Sequence, residues 1–193
     1  MDGFQKRKEA KTRAILKSAL SLYMQKGLQD TTVAEIAADA GVSKVTIFNY
    51  FGTKENLVRE VVLHYITEVY EEFHTIVHSN LSFETKLEKM MFLKSSEMEH
   101  SSSEFINEIM EEYNREDSRI RELYDREGLE LYMNLFLQGK NEGKIHGELT
   151  IEAMMVYLSI FSEGLRQKSV YSAVIPYTKE VMELFMYGLA GNK

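Results

Sequence analysis

Lys44, Val45, Thr46, Phe48, Asn49 and Tyr50 sit within seven residues of one another and offer one coherent set of contacts. An ammonium group can donate to O6 and N7 of guanine, and a branched methyl can pack on the methyl of thymine. The hydroxyls of Thr46 and Tyr50, and a backbone N–H at the helix start beside Ser43, are partners for phosphate oxygens. Ile47 and Phe51 are four apart and point inward, which leaves Lys44, Val45, Phe48 and Asn49 on the opposite side. A different chemistry is conceivable at Glu71, His74 and His78, whose spacing allows one helix face to hold a metal. A charged, solvated face explains that trio as well, and no metal site is assigned. No GxSxG, Walker loop, GxGxxG, HExxH or cysteine ligand set occurs in the chain. No catalytic residue and no cofactor are therefore expected.

The elements that must hold the 44–50 segment are legible on either side of it. Thr32-Val33-Ala34-Glu35 has the spacing of a capping box, and Val33, Ile36, Ala37 and Ala40 then repeat with helical period. Gly41 supplies a helix stop and Ser43 a cap for the next helix, Lys44 to about Tyr50. Helix, short glycine-containing turn, second helix with polar outer side chains is the DNA-reading helix-turn-helix arrangement. Upstream, a first helix from Lys6 to Gly27 carries Ile15, Leu16, Ala19, Leu20, Leu22 and Tyr23 as an apolar stripe that can cradle the two short ones. Lys6, Arg7, Lys8, Lys11 and Arg13 crowd its start, as phosphate or minor-groove contacts or as a solvated helix end.

The run AGVSKVTIFNYFGTKENLV resembles the helix-turn-helix signature of the TetR (tetracycline-repressor) family of bacterial transcription regulators, closely from about Lys11 to Val61. The resemblance implies that Lys44, Val45 and Phe48 face base edges, whereas Thr32, Thr46, Tyr50 and Lys54 match phosphate-contacting positions. The family usually has Tyr where this chain has Phe48, so any contact there must be apolar. Further implications are a ligand-responsive repressor, a palindromic operator in double-stranded DNA, a small-molecule effector and a homodimer. Repression rather than activation rests on the resemblance alone.

Composition bounds the rest. The chain has 193 residues, one proline and no cysteine, so neither a disulfide scaffold nor a thiolate site is available. No apolar run approaches the ~18 residues a membrane span requires, and a cytoplasmic protein that makes no membrane contact is the expectation. Residues 1–60 carry ten Lys/Arg against seven Asp/Glu, whereas residues 61–193 carry thirteen against twenty-three. A basic head on an acidic body suits DNA binding at one end only.

The expected fold class is all-α: a three-helix head, residues 1–52, on a ligand-binding and dimerisation bundle, residues 53–193. Helices are expected from Thr53 to about Ser79, Phe83 to His100, Phe105 to Tyr113, Ile120 to Gly139, Thr150 to Lys168 and Pro176 to Leu189. Met and aromatic residues make adaptable linings. Tyr65, Phe73, Met90, Met91 and Phe105 are candidates for a pocket, with Tyr113, Tyr132, Phe136 and Phe161. By resemblance the last two helices build the homodimer. Tyr157, Leu158, Phe161 and Leu165 on one, and Val181, Leu184, Phe185 and Leu189 on the other, give the apolar stripes. Two other functions fit less of this pattern: an all-α enzyme or metal-binding protein using the Glu/His surface, and a protein-gated DNA-binding adaptor without a pocket.

Overall fold

In the computed structural model, residues 3–90 and 103–190 are described, and among them every regular element is helical. The order begins α1 (Gly3–Lys26), α2 (Val33–Asp39), α3 (Lys44–Phe51) and α4 (Lys54–Val77). Then come α5 (helical over 83–90), α6 (Ser103–Asn114) and α7 (Arg119–Leu123). A π-helical turn, Tyr124–Gly128, joins α7 to α8 (Leu129–Asn141). The chain closes with α9 (Ile151–Arg166), α10 (Lys168–Val174), a 3-10 turn at Ile175–Tyr177 and α11 (Thr178–Ala190). Met91 and the expected end of α5 lie outside the described residues.

The chain divides into two compact units, Met1–Glu68 with His100–Arg115, and Val69–Glu99 with Glu116–Lys193. The division falls inside α4, whereas the sequence expectation places a functional boundary at 52/53.

In the first unit, Ile15, Ala19 and Tyr23 of α1 are fully buried with Ile36 of α2, Ile47 of α3 and Leu57 and Val61 of α4. Of the stripe expected on α1, Ile15, Leu16, Ala19 and Tyr23 are buried in this core and Leu20 and Leu22 half-buried. Thr31, also fully buried, donates its hydroxyl to the Gly27 carbonyl at 2.7 Å and so closes the connection that follows α1. Phe105 of α6 is buried here too, with its ring edge-on to Tyr65 at 5.6 Å.

The core of the second unit gathers Phe73, Val77, Phe83, Met90, Leu131, Leu135, Phe136, Ile145, Met154, Leu158 and Phe185. Lys86 is buried at its edge, and its ammonium donates to the Val77 carbonyl and to Gln138 Oε1, both at 2.6 Å. That pair of bonds closes the C-terminal end of α4 with a cation, where the helix dipole favours one.

Three elements differ from the sequence expectation. The helix expected from Ile120 to Gly139 contains a π turn and runs on to Asn141. Gly128 within that turn permits close approach: a Cβ there would lie 2.6 Å from the Tyr70 hydroxyl oxygen. Residues 168–174 form a helix, α10, that the sequence pattern did not mark. The last helix starts at Thr178, because Pro176 belongs to the 3-10 turn before it.

Candidate nucleic-acid interface

Local hydrogen bonding shapes the reading helix before any tertiary contact does. Thr32 caps α2: its Oγ1 accepts from the Glu35 N–H at 3.2 Å, and Glu35 Oε2 accepts from the Thr32 N–H at 2.9 Å. Lys26 Nζ lies 2.8 Å from the other carboxylate oxygen. The Lys26 hydrogen bond, followed by the bonds from Thr32, holds the Glu35 carboxyl down at about 2. Gly41 ends α2 at φ 64°, and the Val42 and Gly41 N–H groups return to the Ala37 and Ala38 carbonyls at 2.9 and 3.3 Å. This is a Schellman closure, which needs the left-handed residue that glycine provides. Ser43 then caps α3, accepting from the Thr46 N–H at 3.0 Å, and its hydroxyl pairs with the Thr46 hydroxyl at 2.9 Å.

α3 therefore leaves the turn with a fixed orientation, anchored by Ile47, which is 1% exposed. Its outward side chains are Lys44, Val45, Phe48 and Asn49, all exposed, with Tyr50 half-buried beside Phe51. Val45 is 66% and Phe48 45% exposed. Thr32 and Ser43 are exposed on the same short segment. Of the nine sequence candidates, Thr32, Ser43, Lys44, Val45, Phe48 and Asn49 are exposed, and Thr46 and Tyr50 are half-buried.

Lys54 is placed differently. Its ammonium donates to the Leu28 and Thr31 carbonyls, each at 2.8 Å, and so bolts the start of α4 to the connection between α1 and α2. Two of its three donors are thus used inside the protein. Sequence reasoning missed this, because spacing alone does not show which carbonyls a lysine reaches. It also missed α6 as a brace of the same unit. Glu104 Oε2 accepts from the Leu28 and Gln29 N–H groups at 2.9 and 3.2 Å. Glu112 takes a two-pronged pair from Arg59 at 2.7 and 3.0 Å. Burial, with Glu111 and Glu112 nearby, raises the Glu108 carboxyl on the same helix.

The basic start of α1 is helical from Gly3, three residues earlier than expected, and Lys6, Arg7, Lys8, Lys11 and Arg13 are exposed along it. Beside it a cleft of about 360 Å³ is lined by Gln5, Lys8, Glu9, Thr12, Arg13, Leu16 and His64.

The remaining candidates sit elsewhere. Tyr65, Phe105 and Tyr113 belong to the first unit, and Phe73, Met90, Tyr132, Phe136 and Phe161 to the second. Phe73, Met90 and Phe136 are buried in the packed core, with Tyr132 and Phe161 against it. Of the eight residues expected on the dimer stripes, Leu158 and Phe185 are instead core residues, 3% and 6% exposed. The spacing explains it: Met154, Leu158 and Phe161 turn inward, and the Phe161 ring lies 5.0 Å from that of Phe185. Tyr157 and Leu184 are exposed, Phe161, Leu165 and Val181 half-buried, and the Leu189 side chain lies outside those described. Val156 and Ile160, which the stripes omitted, are 59% and 66% exposed on α9. His74 of α4 and His78, one residue past its end, are both exposed and stack at 4.0 Å, and His78 Nδ1 lies 2.9 Å from the His74 carbonyl oxygen. Among the described residues no three His, Asp or Glu side chains gather into a metal-binding group.

Comparison with known proteins agrees with this geometry. The family model described as "Bacterial regulatory proteins, tetR family" matches residues 15–61, from the second half of α1 to the first turns of α4. The HTH-type transcriptional repressor KstR2 of Rhodococcus jostii (strain RHA1) is 23% identical over 154 residues, 78% of this chain and 76% of that protein. The structure of the ketosteroid transcriptional regulator KstR2 of Mycobacterium tuberculosis superposes with a TM-score of 0.54 at 16% identity, over 94% of this chain and 95% of that one. The fatty acid degradation regulator FadR from Bacillus halodurans gives 0.58 at 19% identity, over 94% and 97%. Both structures show the fold, and the segment that matches in sequence is the one that presents α3. Residues 15–61 match the TetR family of bacterial regulatory proteins, and the chain is similar over most of its length to transcriptional repressors of the helix-turn-helix type.

Proposed function

We propose that the protein acts as a homodimeric repressor in the cytoplasm, without a catalytic step, and that a small apolar or amphipathic effector releases it from a palindromic operator. The observation that carries the dimer is the apolar surface of the last long helices. Val156, Tyr157 and Ile160 of α9, Tyr177 of the 3-10 turn before α11, and Leu184 of α11 are all exposed, Leu184 to 69%. Tyr157 lies against α11: its ring stacks on Phe185 at 5.1 Å, and its hydroxyl oxygen would be 3.4 Å from a Cβ on Gly188. The two helices therefore offer one apolar face, the kind of surface that an isologous contact covers. Thr32, Ser43, Thr46, Tyr50 and the third donor of Lys54 serve the phosphates, whereas Lys44, Val45, Phe48 and Asn49 serve the base edges. For an effector, the Met and aromatic content of the second unit supplies an adaptable apolar interior around Phe73, Met90, Tyr132, Phe136 and Phe161. Relatives and neighbours named for ketosteroid and fatty acid regulation support an apolar class of effector.

Selection of bound duplexes from a random pool tests this together with sedimentation. A palindrome is expected, with half-sites one helical turn of ~34 Å or a multiple of it apart. The double variant Ile160→Glu, Leu184→Glu is expected to sediment as a monomer and to lose at least tenfold in operator affinity. A monomeric parent that selects a single asymmetric site would refute the dimer.

A further inference from the structure

We infer that His74 and His78 form a two-imidazole site for a divalent transition-metal ion, copper(II) or nickel(II) in preference to zinc(II), at the C-terminal end of α4. The site lies within the second unit and stands independently of DNA binding.

The two histidines are four positions apart, so their side chains leave the same helix face one turn from each other. The backbone stays helical through the pair: the His78 N–H donates to the His74 carbonyl at 3.0 Å, and the Ser79 N–H to that of Ile76 at 3.2 Å. The core takes Phe73 and Val77 from this turn and leaves both imidazoles exposed. Their rings stack with centroids 4.0 Å apart and planes 25° apart. His78 Nδ1 lies 2.9 Å from the His74 carbonyl oxygen. A carbonyl oxygen only accepts, so Nδ1 carries the proton and Nε2 keeps its lone pair. That tautomer is the one a ligating imidazole needs, and a backbone carbonyl on the other ring nitrogen is a common way of fixing it. Two nitrogens bound to one ion at ~2 Å stand ~3 Å apart. Rings that already face each other at 4.0 Å reach this separation by side-chain rotation, without moving the backbone. Glu71 and Glu72, exposed in the preceding turn, add negative charge that favours a cation. Among the described residues no third His, Asp or Glu side chain closes on the pair, so water completes the coordination. Zinc sites take three or four protein ligands as a rule. Two imidazoles with water suit the tetragonal coordination of copper(II) and nickel(II), and copper(II) stands highest in the order of affinities.

The test titrates copper(II), nickel(II) and zinc(II) separately into the full chain by calorimetry, with electron paramagnetic resonance of the copper form. One ion per chain is expected, copper(II) bound most tightly and zinc(II) most weakly, with a copper spectrum that shows two imidazole nitrogens. His74→Ala and His78→Ala should each weaken copper binding by about a hundredfold, as when a two-point attachment becomes a one-point one. Alanine at the other histidines of the chain, His64, His100 and His146, should leave it unchanged. Both members of the pair are exposed, and equal melting temperatures without metal would verify that the variants fold. Excess copper(II) should raise the melting temperature of the parent and not that of His78→Ala, because the pair converges only in the folded helix. Copper(II) held equally well by the parent and both variants would overturn the inference, showing adventitious binding elsewhere. Absence of copper binding, or zinc(II) bound more tightly than copper(II), would overturn it too.

Discussion

At the scale of single residues, Lys54 shows how a position can match a pattern and still do a second job. Its place beside the reading helix suggests phosphate, and the structure gives it two backbone carbonyls, those of Leu28 and Thr31. These atoms belong to the connection between α1 and α2, so the ammonium closes a loop of contacts around the whole head. Lys54→Met is expected to lower the stability of the protein by about 1–3 kcal/mol, the range for losing charged hydrogen bonds and exposing their acceptors. It should also weaken binding to all DNA sequences alike. Urea denaturation beside affinity measurements on matched and scrambled operators checks both parts. An unchanged denaturation midpoint would mean that the carbonyl contacts contribute nothing. The capping residues Thr32, Ser43 and Thr53 were legible in sequence, because a cap depends on atoms three residues away: Thr53 Oγ1 accepts from the Asn56 N–H at 3.1 Å. Lys54 reaches 26 and 23 residues back, and no local pattern records that.

At the scale of elements, α2 is held by its first turn more than by its length. Seven residues are too few for a helix to persist alone, so the capping box and the buried pair Ile36 and Ala37 define it. The Glu35 carboxyl is held at about 2 against an ordinary 4.5, first by its bond from Lys26 and then by those from Thr32. A depressed carboxyl stabilises the fold above its unfolded value, and the contribution disappears as pH falls from about 4.5 through about 2. Glu35→Gln should therefore cost stability at pH 7 and make the curve of stability against pH shallower within that window. Thermal melts of both proteins from pH 7 to pH 2 provide the check, and parallel curves would contradict it. The same scale shows where the sequence falls silent. The Lys168–Val174 segment has neither a clear cap nor a long periodic stripe, and Pro176 reads equally well as a helix start. A π turn leaves no mark in composition, since Tyr-Asp-Arg-Glu-Gly over Tyr124–Gly128 reads as ordinary polar helix. On α9 the inward Met154 and Leu158 and the outward Val156 and Ile160 are alike in hydropathy, so burial alone distinguishes core from surface.

At the scale of the whole molecule, α4 is the element that belongs to both compact units. Leu57 and Val61 are buried in the unit that presents α3, whereas Phe73 and Val77 are buried in the other. From Leu57 to Phe73 is sixteen residues along one helix, or about 24 Å. The far end is held by Lys86 at the Val77 carbonyl and by the core around Phe73. The proposed effector, by repacking that core, would act on the helix that also supplies Leu57 and Val61 to the unit presenting α3. The size of the response is bounded by the difference in effector affinity between the two states. A coupling of ~1–3 kcal/mol corresponds to roughly 5–150-fold in DNA affinity. Linkage makes the effect reciprocal, so operator DNA must weaken effector binding by the same factor by which effector weakens DNA binding. Once an apolar library has supplied a ligand, calorimetry on the free and the DNA-bound protein measures one side and DNA titration the other. Two equal factors are the expected outcome. Identical ligand affinity with and without DNA would reduce the second unit to a binding compartment that does not switch the first. If no apolar ligand bound at all, control by a protein partner would replace control by a small molecule.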